Sequence, residues 1–295
     1  MREARQAVKA GLQALLQPIE AKLRAAGTGP LEYAPVFIIG PPRTGSTLLY
    51  QLLVRRYRFC YFSNLVNRFA ATPLALAKLS KSFGGFDAGA VYNSRYGDTT
   101  GWYSPSQGRE CWVAWLPESP NALGPDAVSS DAKQQIRATV GAMQRICGRP
   151  FINKWPPNSV RVRLLADIFP QVLFVRISRA ITPTVRSILR GRQELCQRGS
   201  GWFSVKPPGY RRIMRERAPD EQAAWQIASI ERAIDADRDV VGAHRFFQVR
   251  YEDLTRRPRQ MLGAIAAFYE GATGIALGQG REVPDAFARR PAAVH

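Results

Sequence analysis

The fold of this chain is most constrained by one run, Val36-Phe-Ile-Ile-Gly40-Pro-Pro-Arg-Thr-Gly45-Ser-Thr47-Leu-Leu. Four consecutive apolar residues predict a buried strand, and the Gly/Pro stretch behind them forces a turn before a helix begins. A turn of this kind aims backbone N–H groups and the positive end of the helix dipole at an anion. Gly40 and Gly45, followed by Ser46 and Thr47, have P-loop spacing, and the two hydroxyls add donors. The lysine that a nucleotide triphosphatase carries at position 46 is absent, and a cation stands earlier, at Arg43. The run predicts a phosphate cradle without the hallmark of γ-phosphate chemistry.

The remaining pattern alternates strands with helices. Strands are expected near residues 59–62, at 150–154, at 171–176 and at 246–249. Helices are expected over the first 27 residues and at 70–79, 131–147, 161–168, 184–193, 221–237 and 259–269. Alternation of this kind predicts one α/β domain, a central parallel sheet flanked by helices. In the first helix Val8, Leu12, Leu15, Ile19 and Leu23 recur at helical spacing and are expected to pack against the domain; a basic amphipathic helix resting on a membrane is the minor alternative. The chain thus divides into an N-terminal helix over 1–30 and the α/β domain over 31–295. Within it lie a loop-rich region at about 84–128 and a lid-like loop at about 198–212.

Composition bounds the partners. Of 295 residues, 42 are basic and 23 acidic, a net charge of +19, which attracts polyanions, phosphorylated ligands or anionic lipid. Arginine-rich surface composition accounts for part of that excess. No run is apolar enough to cross a membrane, and charges recur through residues 2–24 where a secretory signal needs an apolar core. The expected location is cytoplasmic. Cys60, Cys111, Cys147 and Cys196 are widely separated and only two histidines are present, so free buried thiols are expected rather than a zinc site.

A second cluster, Arg176-Ile-Ser-Arg179-Ala-Ile-Thr-Pro-Thr-Val-Arg186-Ser187, follows a buried strand at the carboxyl edge of the expected sheet, where open α/β folds bind ligands. Arg179 and Ser187 there could grip a second phosphate.

With both clusters in view the chain resembles the PAPS-dependent sulfotransferases. Pro42-Arg-Thr-Gly-Ser-Thr47 stands where that family carries PRSGTT around the 5′-phosphosulfate. Arg179 and, eight positions on, Ser187 match its 3′-phosphate pair. Lys154-Trp-Pro-Pro-Asn158 is similar to its Lys-x-Pro segment. Arg250-Tyr-Glu-Asp-Leu254 is similar to its late YEDL segment, and Trp202 with Lys206-Pro-Pro-Gly209 to a loop of bacterial members. The resemblance spans about residues 35–270, in the family's order. It implies transfer of a sulfuryl group from 3′-phosphoadenosine 5′-phosphosulfate (PAPS) to a hydroxyl or amine of a glycan, lipid or small-molecule acceptor, without a metal. It also implies that Pro42, Arg43, Thr44, Gly45, Ser46, Thr47, Arg179, Ser187 and Tyr251 bind the donor, and that Arg43 and Lys154 face the departing phosphate oxygen.

The base that deprotonates the acceptor departs from the family pattern. His244 and His295 lie too late for the family's histidine, and Asn64 occupies the region of its early glutamate. Glu110, with Asp98 behind it, is the nearest carboxylate, either as base or as a simple partner of Arg109. Tyr251 either contacts adenosine or braces a strand end. Trp102, Trp112 and Trp115 either line an acceptor pocket or fill the core. Two rival functions follow from the same residues. One is a P-loop kinase or NTPase, which has no role for Arg179 and Ser187. The other is a basic membrane-surface or nucleic-acid binder with a vestigial loop, of which the nucleic-acid form is disfavoured. Oligomeric state and acceptor identity have no sequence signal.

Overall fold

The computed structural model describes residues 2–87, 94–95, 97–196 and 201–287. In chain order its elements begin with α1 (Arg2–Ala26), β1 (Val36–Ile39), α2 (Ser46–Arg56), α3 (Asn64–Arg68) and α4 (Pro73–Ser82). A small hairpin, β2 (Ser94–Arg95) and β3 (Asp98–Thr99), leads to α5 (Arg109–Val113) and α6 (Ser130–Cys147). Then come β4 (Ile152–Asn153), α7 (Val162–Ile168), β5 (Leu173–Ser178), α8 (Ile181–Leu195) and α9 (Tyr210–Glu216). The chain closes with α10 (Pro219–Val241), β6 (Phe246–Arg250), α11 (Tyr251–Arg256) and α12 (Pro258–Thr273).

The central sheet has the order β4-β1-β5-β6, and every pair is parallel. The chain leaves β1 for β4 on one side, then crosses back to β5 on the other. Strands β1 and β5 therefore flank the topological switch point, where their carboxyl ends open a crevice. Register places Ile39 beside Arg176, so β5 runs two residues beyond β1 and overhangs its turn.

Strands β1 and β4 are short because each meets a breaker. Gly40 and Pro41 stop β1, and Pro156-Pro157 follow β4 with no N–H to continue a ladder. The sheet's core is aromatic: Phe37 lies with its ring centroid 5.8 Å from Phe169, 6.0 Å from Trp112 and 6.5 Å from Phe174. Arg176, the charged residue of β5, pairs with Glu231 and Asp235 and so ties α10 to the sheet.

The stretch at 59–62, expected as a strand, makes a single parallel bridge, Cys60 to Phe151. It stops there because Ser63 caps α3, its hydroxyl accepting from the Val66 N–H at 3.2 Å. The expected loop region contains α5 and the β2–β3 hairpin, and α9 occupies the end of the lid-like loop. Residues 88–93 and 96 of the former, 198–200 of the latter and the tail from 288, with His295, lie outside the described residues. Cys60, Cys111 and Cys147 are buried and Cys196 is half-buried, all as free thiols.

As expected, α1 packs against the domain, on α4 and α6. The face it uses differs: of the five periodic apolar residues only Leu23 turns inward, beside Leu16 and Glu20, while Val8, Leu12, Leu15 and Ile19 are 73, 41, 77 and 47% exposed. Glu20 decides the rotation. Its carboxylate is buried and accepts the Leu74 and Ala75 N–H groups at 2.8 and 2.9 Å, capping α4, while its other oxygen takes Arg24 at 2.9 Å. Turning the apolar stripe inward would strand that charge and both amides.

Candidate functional site

The turn after β1 is built by backbone that few sequences allow. A Cβ on Gly40 would stand 2.2 Å from the Ile177 carbonyl oxygen, on the overhanging β5. Ser159 holds this glycine from the other side: its hydroxyl accepts the Gly40 N–H and donates to the Gly40 carbonyl, each at 3.0 Å. Pro41 and Pro42 are buried, and the Thr44 hydroxyl closes the turn on the Pro41 carbonyl at 2.8 Å. Arg43 adopts φ +69°, which is costly for a residue with a Cβ and marks a backbone over-determined by its surroundings. Gly45, at φ +93°, starts α2. The first-turn amides of that helix lack intrahelical partners, and Ser46 and Thr47 beside them are half-buried.

The second cluster joins the first. The Arg43 Nε donates to the Ser187 hydroxyl at 2.9 Å, and Arg179 Nη1 donates to the Arg43 carbonyl at 3.3 Å. Two segments separated by more than a hundred residues thus meet at the switch point. Tyr251, the first residue of α11, completes the floor. The Arg179 guanidinium lies 4.4 Å from its ring centroid, and a Cβ on Gly45 would reach to 2.3 Å of its Cδ2. Glu252 accepts the Ala180 N–H at 3.1 Å and fixes the start of α8.

Lys154 follows β4, on the opposite side of β1 from Arg179. It is almost wholly buried, and burial pushes its ammonium down to about 7 from 10.5. The Asp98 carboxylate opposes that fall, and the positive charge of Arg43 adds to it. Gly97, at φ +101°, lets the Gln107 side chain in beside the lysine, since a Cβ there would stand 2.7 Å from the Gln107 Nε2. Arg43 thus links the two sides of β1: its carbonyl takes Arg179, and its charge acts on Lys154. Such a set of cations suits a multiply charged oxyanion.

The acceptor-side residues sort differently. Glu110 is half-exposed at the start of α5 and is paired with Arg109 at 2.5 Å, so the pairing foreseen beside the base reading is the one formed. Asn64 is a staple, donating to the Thr99 and Gly101 carbonyls, each at 2.9 Å. Trp112 is core: fully buried, stacked 6.1 Å from Trp155, and donating to Asn153 Oδ1 at 3.0 Å. Trp115 packs on it edge-on. Trp102 is the one of the three that lines an open cleft of about 760 Å³, together with Lys9, Gln13, Asn64, Asn67, Arg68 and Glu110. The segment 98–101 joins cleft to cradle, with Asp98 influencing Lys154 and Gly101 in the cleft wall.

Sequence reasoning missed Ser159, Gly97 and Gln107, whose amide reaches toward Asp98 at 3.5 Å. None belongs to a recognisable motif. Only the glycine carries a local sign, a flexible residue before an acid. Among the described residues no cluster of His, Cys, Asp or Glu is placed to hold a metal ion.

An open parallel α/β sheet with a glycine turn at its switch point belongs to the architectures that bind ligands at the carboxyl ends of their strands. Residues 35–272 match the model of the sulfotransferase family, and the chain belongs to it. No curated protein sequence matches. Solved structures that resemble it include the sulfotransferase domain from the curacin biosynthetic pathway, with a TM-score of 0.46 and 19% identity over 81% of this chain and 74% of that one. Sulfotransferase STF1 from Mycobacterium tuberculosis H37Rv gives 0.49 and 16% over 87% and 72%. Sulfotransferase STF9 from Mycobacterium avium gives 0.48 and 18% over 82% and 64%.

Proposed function

We propose that this sulfotransferase takes its sulfuryl group from PAPS and passes it to a hydroxyl or amine in the cleft beside α5. The contact that carries the reading is Arg43 bonded to both Ser187 and, through its carbonyl, Arg179. Two oxyanion sites so joined fit a donor phosphorylated at both ends of one nucleoside. The residues present suit it: Gly45 lets the Tyr251 ring close on the cradle backbone, where a Cβ would stand 2.3 Å from it, and that ring is faced by the Arg179 guanidinium.

Bound there, PAPS supplies the sulfuryl group and a phosphate oxygen on which negative charge grows as the S–O bond breaks. Arg43, Ser46, Thr47 and the α2 amides bind the 5′ side, with Pro42 and Thr44 shaping the turn. Arg179 and Ser187 hold the 3′ side, and Tyr251 supports the adenosine. Lys154 stands at the developing charge as a fixed donor. Removal of such a donor costs about 3–4 kcal/mol, several hundred-fold in rate. Asp98 is the better candidate to take the acceptor proton, because its charge reaches Lys154 whereas Glu110 is engaged by Arg109. Glu110 remains part of the cleft wall. The acceptor, whether glycan, lipid or small molecule, approaches through that cleft.

The test is thermal denaturation with 3′-phosphoadenosine 5′-phosphate (PAP). At a hundredfold excess over Kd, PAP stabilises the folded chain by about 2.7 kcal/mol, and Arg43→Ala or Arg179→Ala abolishes the shift. A shift with ATP–Mg²⁺ but none with PAP refutes the assignment in favour of phosphoryl chemistry.

A further inference from the structure

The outer side of α1 is apolar and uncovered. Val8, Leu12, Leu15 and Ile19, 73, 41, 77 and 47% exposed, fall within about 60° of one another around a helix of 3.6 residues per turn. Around the stripe the charge is of one sign. From residue 6 to residue 26 the sole acidic residue is Glu20, which is buried and bonded to Arg24. Lys22 is exposed and lies two turns beyond Leu15, on the same side. Lys9 follows Val8, its ammonium 5.8 Å from the Phe69 ring.

We propose that this stripe seats the protein on an anionic lipid bilayer, with α1 lying flat in the headgroup region. A bare apolar stripe needs a cover. A second copy of the chain is the poorer cover, since each copy brings a net charge of +19. An anionic leaflet attracts that same charge, and lysines beside the stripe can reach its phosphates while their stems stay in the apolar layer. The cleft adjoins the helix. Lys9 and Gln13 line the cleft together with Trp102, 58% exposed with the Arg68 guanidinium 6.0 Å from its ring. Tryptophan beside arginine suits the membrane–water boundary. No helix among the described residues is long and apolar enough to cross a membrane, so the contact proposed is peripheral.

This goes beyond the sulfotransfer reading and does not depend on it. Co-sedimentation of the full chain with phosphatidylcholine vesicles containing phosphatidylglycerol tests it, against vesicles of phosphatidylcholine alone. The wild type partitions onto the anionic vesicles, less so as salt rises. Leu12→Glu with Leu15→Glu lowers that partition at least about tenfold, with the thermal midpoint kept. Should the double variant fail to fold, Lys22→Glu is the second probe, expected to weaken binding about fivefold or more. The proposal is overturned if the wild type ignores anionic vesicles at low salt. It is overturned equally if the variant that folds binds as well as wild type, or if light scattering shows a dimer that the leucine substitutions split. Loss of the PAP shift with vesicle binding intact refutes the donor assignment alone.

Discussion

Lys154 is a charge held where water cannot reach it, and its replacement by methionine gives a sharp test of the cradle. The ammonium titrates near 7 in the folded chain against 10.5 when solvated. In that interval the unfolded chain binds the extra proton, so stability rises with pH and the penalty is fully felt below about 7. Over the two units from about pH 7 to pH 9 the gain is about 2 kcal/mol, once partial protonation at the lower limit is counted. Methionine fills similar space with nothing to ionise. Urea denaturation of both chains across this range, compared as a difference, cancels every other titrating group. The variant is the more stable at neutral pH, and its advantage shrinks by about 2 kcal/mol toward pH 9. A ligand anion reverses the balance: at about pH 8 the lysine is mostly neutral, so PAP binding draws in nearly one proton, read from the buffer dependence of the binding enthalpy. Parallel stability curves, together with proton uptake unchanged by the substitution, would refute the argument that this amine is depressed and faces the donor.

Two further outcomes follow from single contacts. Gly45→Ala brings a methyl group to 2.3 Å of the Tyr251 ring at φ +93°, so it lowers the thermal midpoint and abolishes the PAP-induced shift; a variant that binds PAP normally contradicts the cradle geometry. Glu20→Ala leaves the Leu74 and Ala75 amides without an acceptor inside the fold and costs about 2–3 kcal/mol in chemical denaturation, with PAP affinity retained.

The cradle was legible in sequence because backbone sterics write themselves into residue types: only glycine fits under the Ile177 carbonyl or against Tyr251. The places of β1, β4, β5 and β6 along the chain were legible because buried parallel strands are short apolar runs. Arg179 and Ser187 were found by spacing, though spacing alone suggested that they grip together, whereas Ser187 bonds to Arg43 instead. What stayed hidden has no periodic or steric signature. Ser159 is an ordinary serine until its hydroxyl lies against both polar atoms of Gly40. Asp98 matters through a lysine fifty-six positions on. The rotation of α1 was misread because apolar spacing is a vote on packing, and one buried carboxylate with three partners outvotes it. Glu110 stands two positions before the buried Trp112 on α5, about 200° round the helix, so its carboxylate faces out with Arg109.

The fit between Gly45 and the Tyr251 ring links two segments that meet only after the last strand has joined the sheet. A side chain at one position demands a smaller neighbour at the other, so these sites can drift only as a couple. Anyone redesigning the nucleotide preference of this protein must therefore alter both together, beginning with a trimmed aromatic at 251 before any methyl is tried at 45.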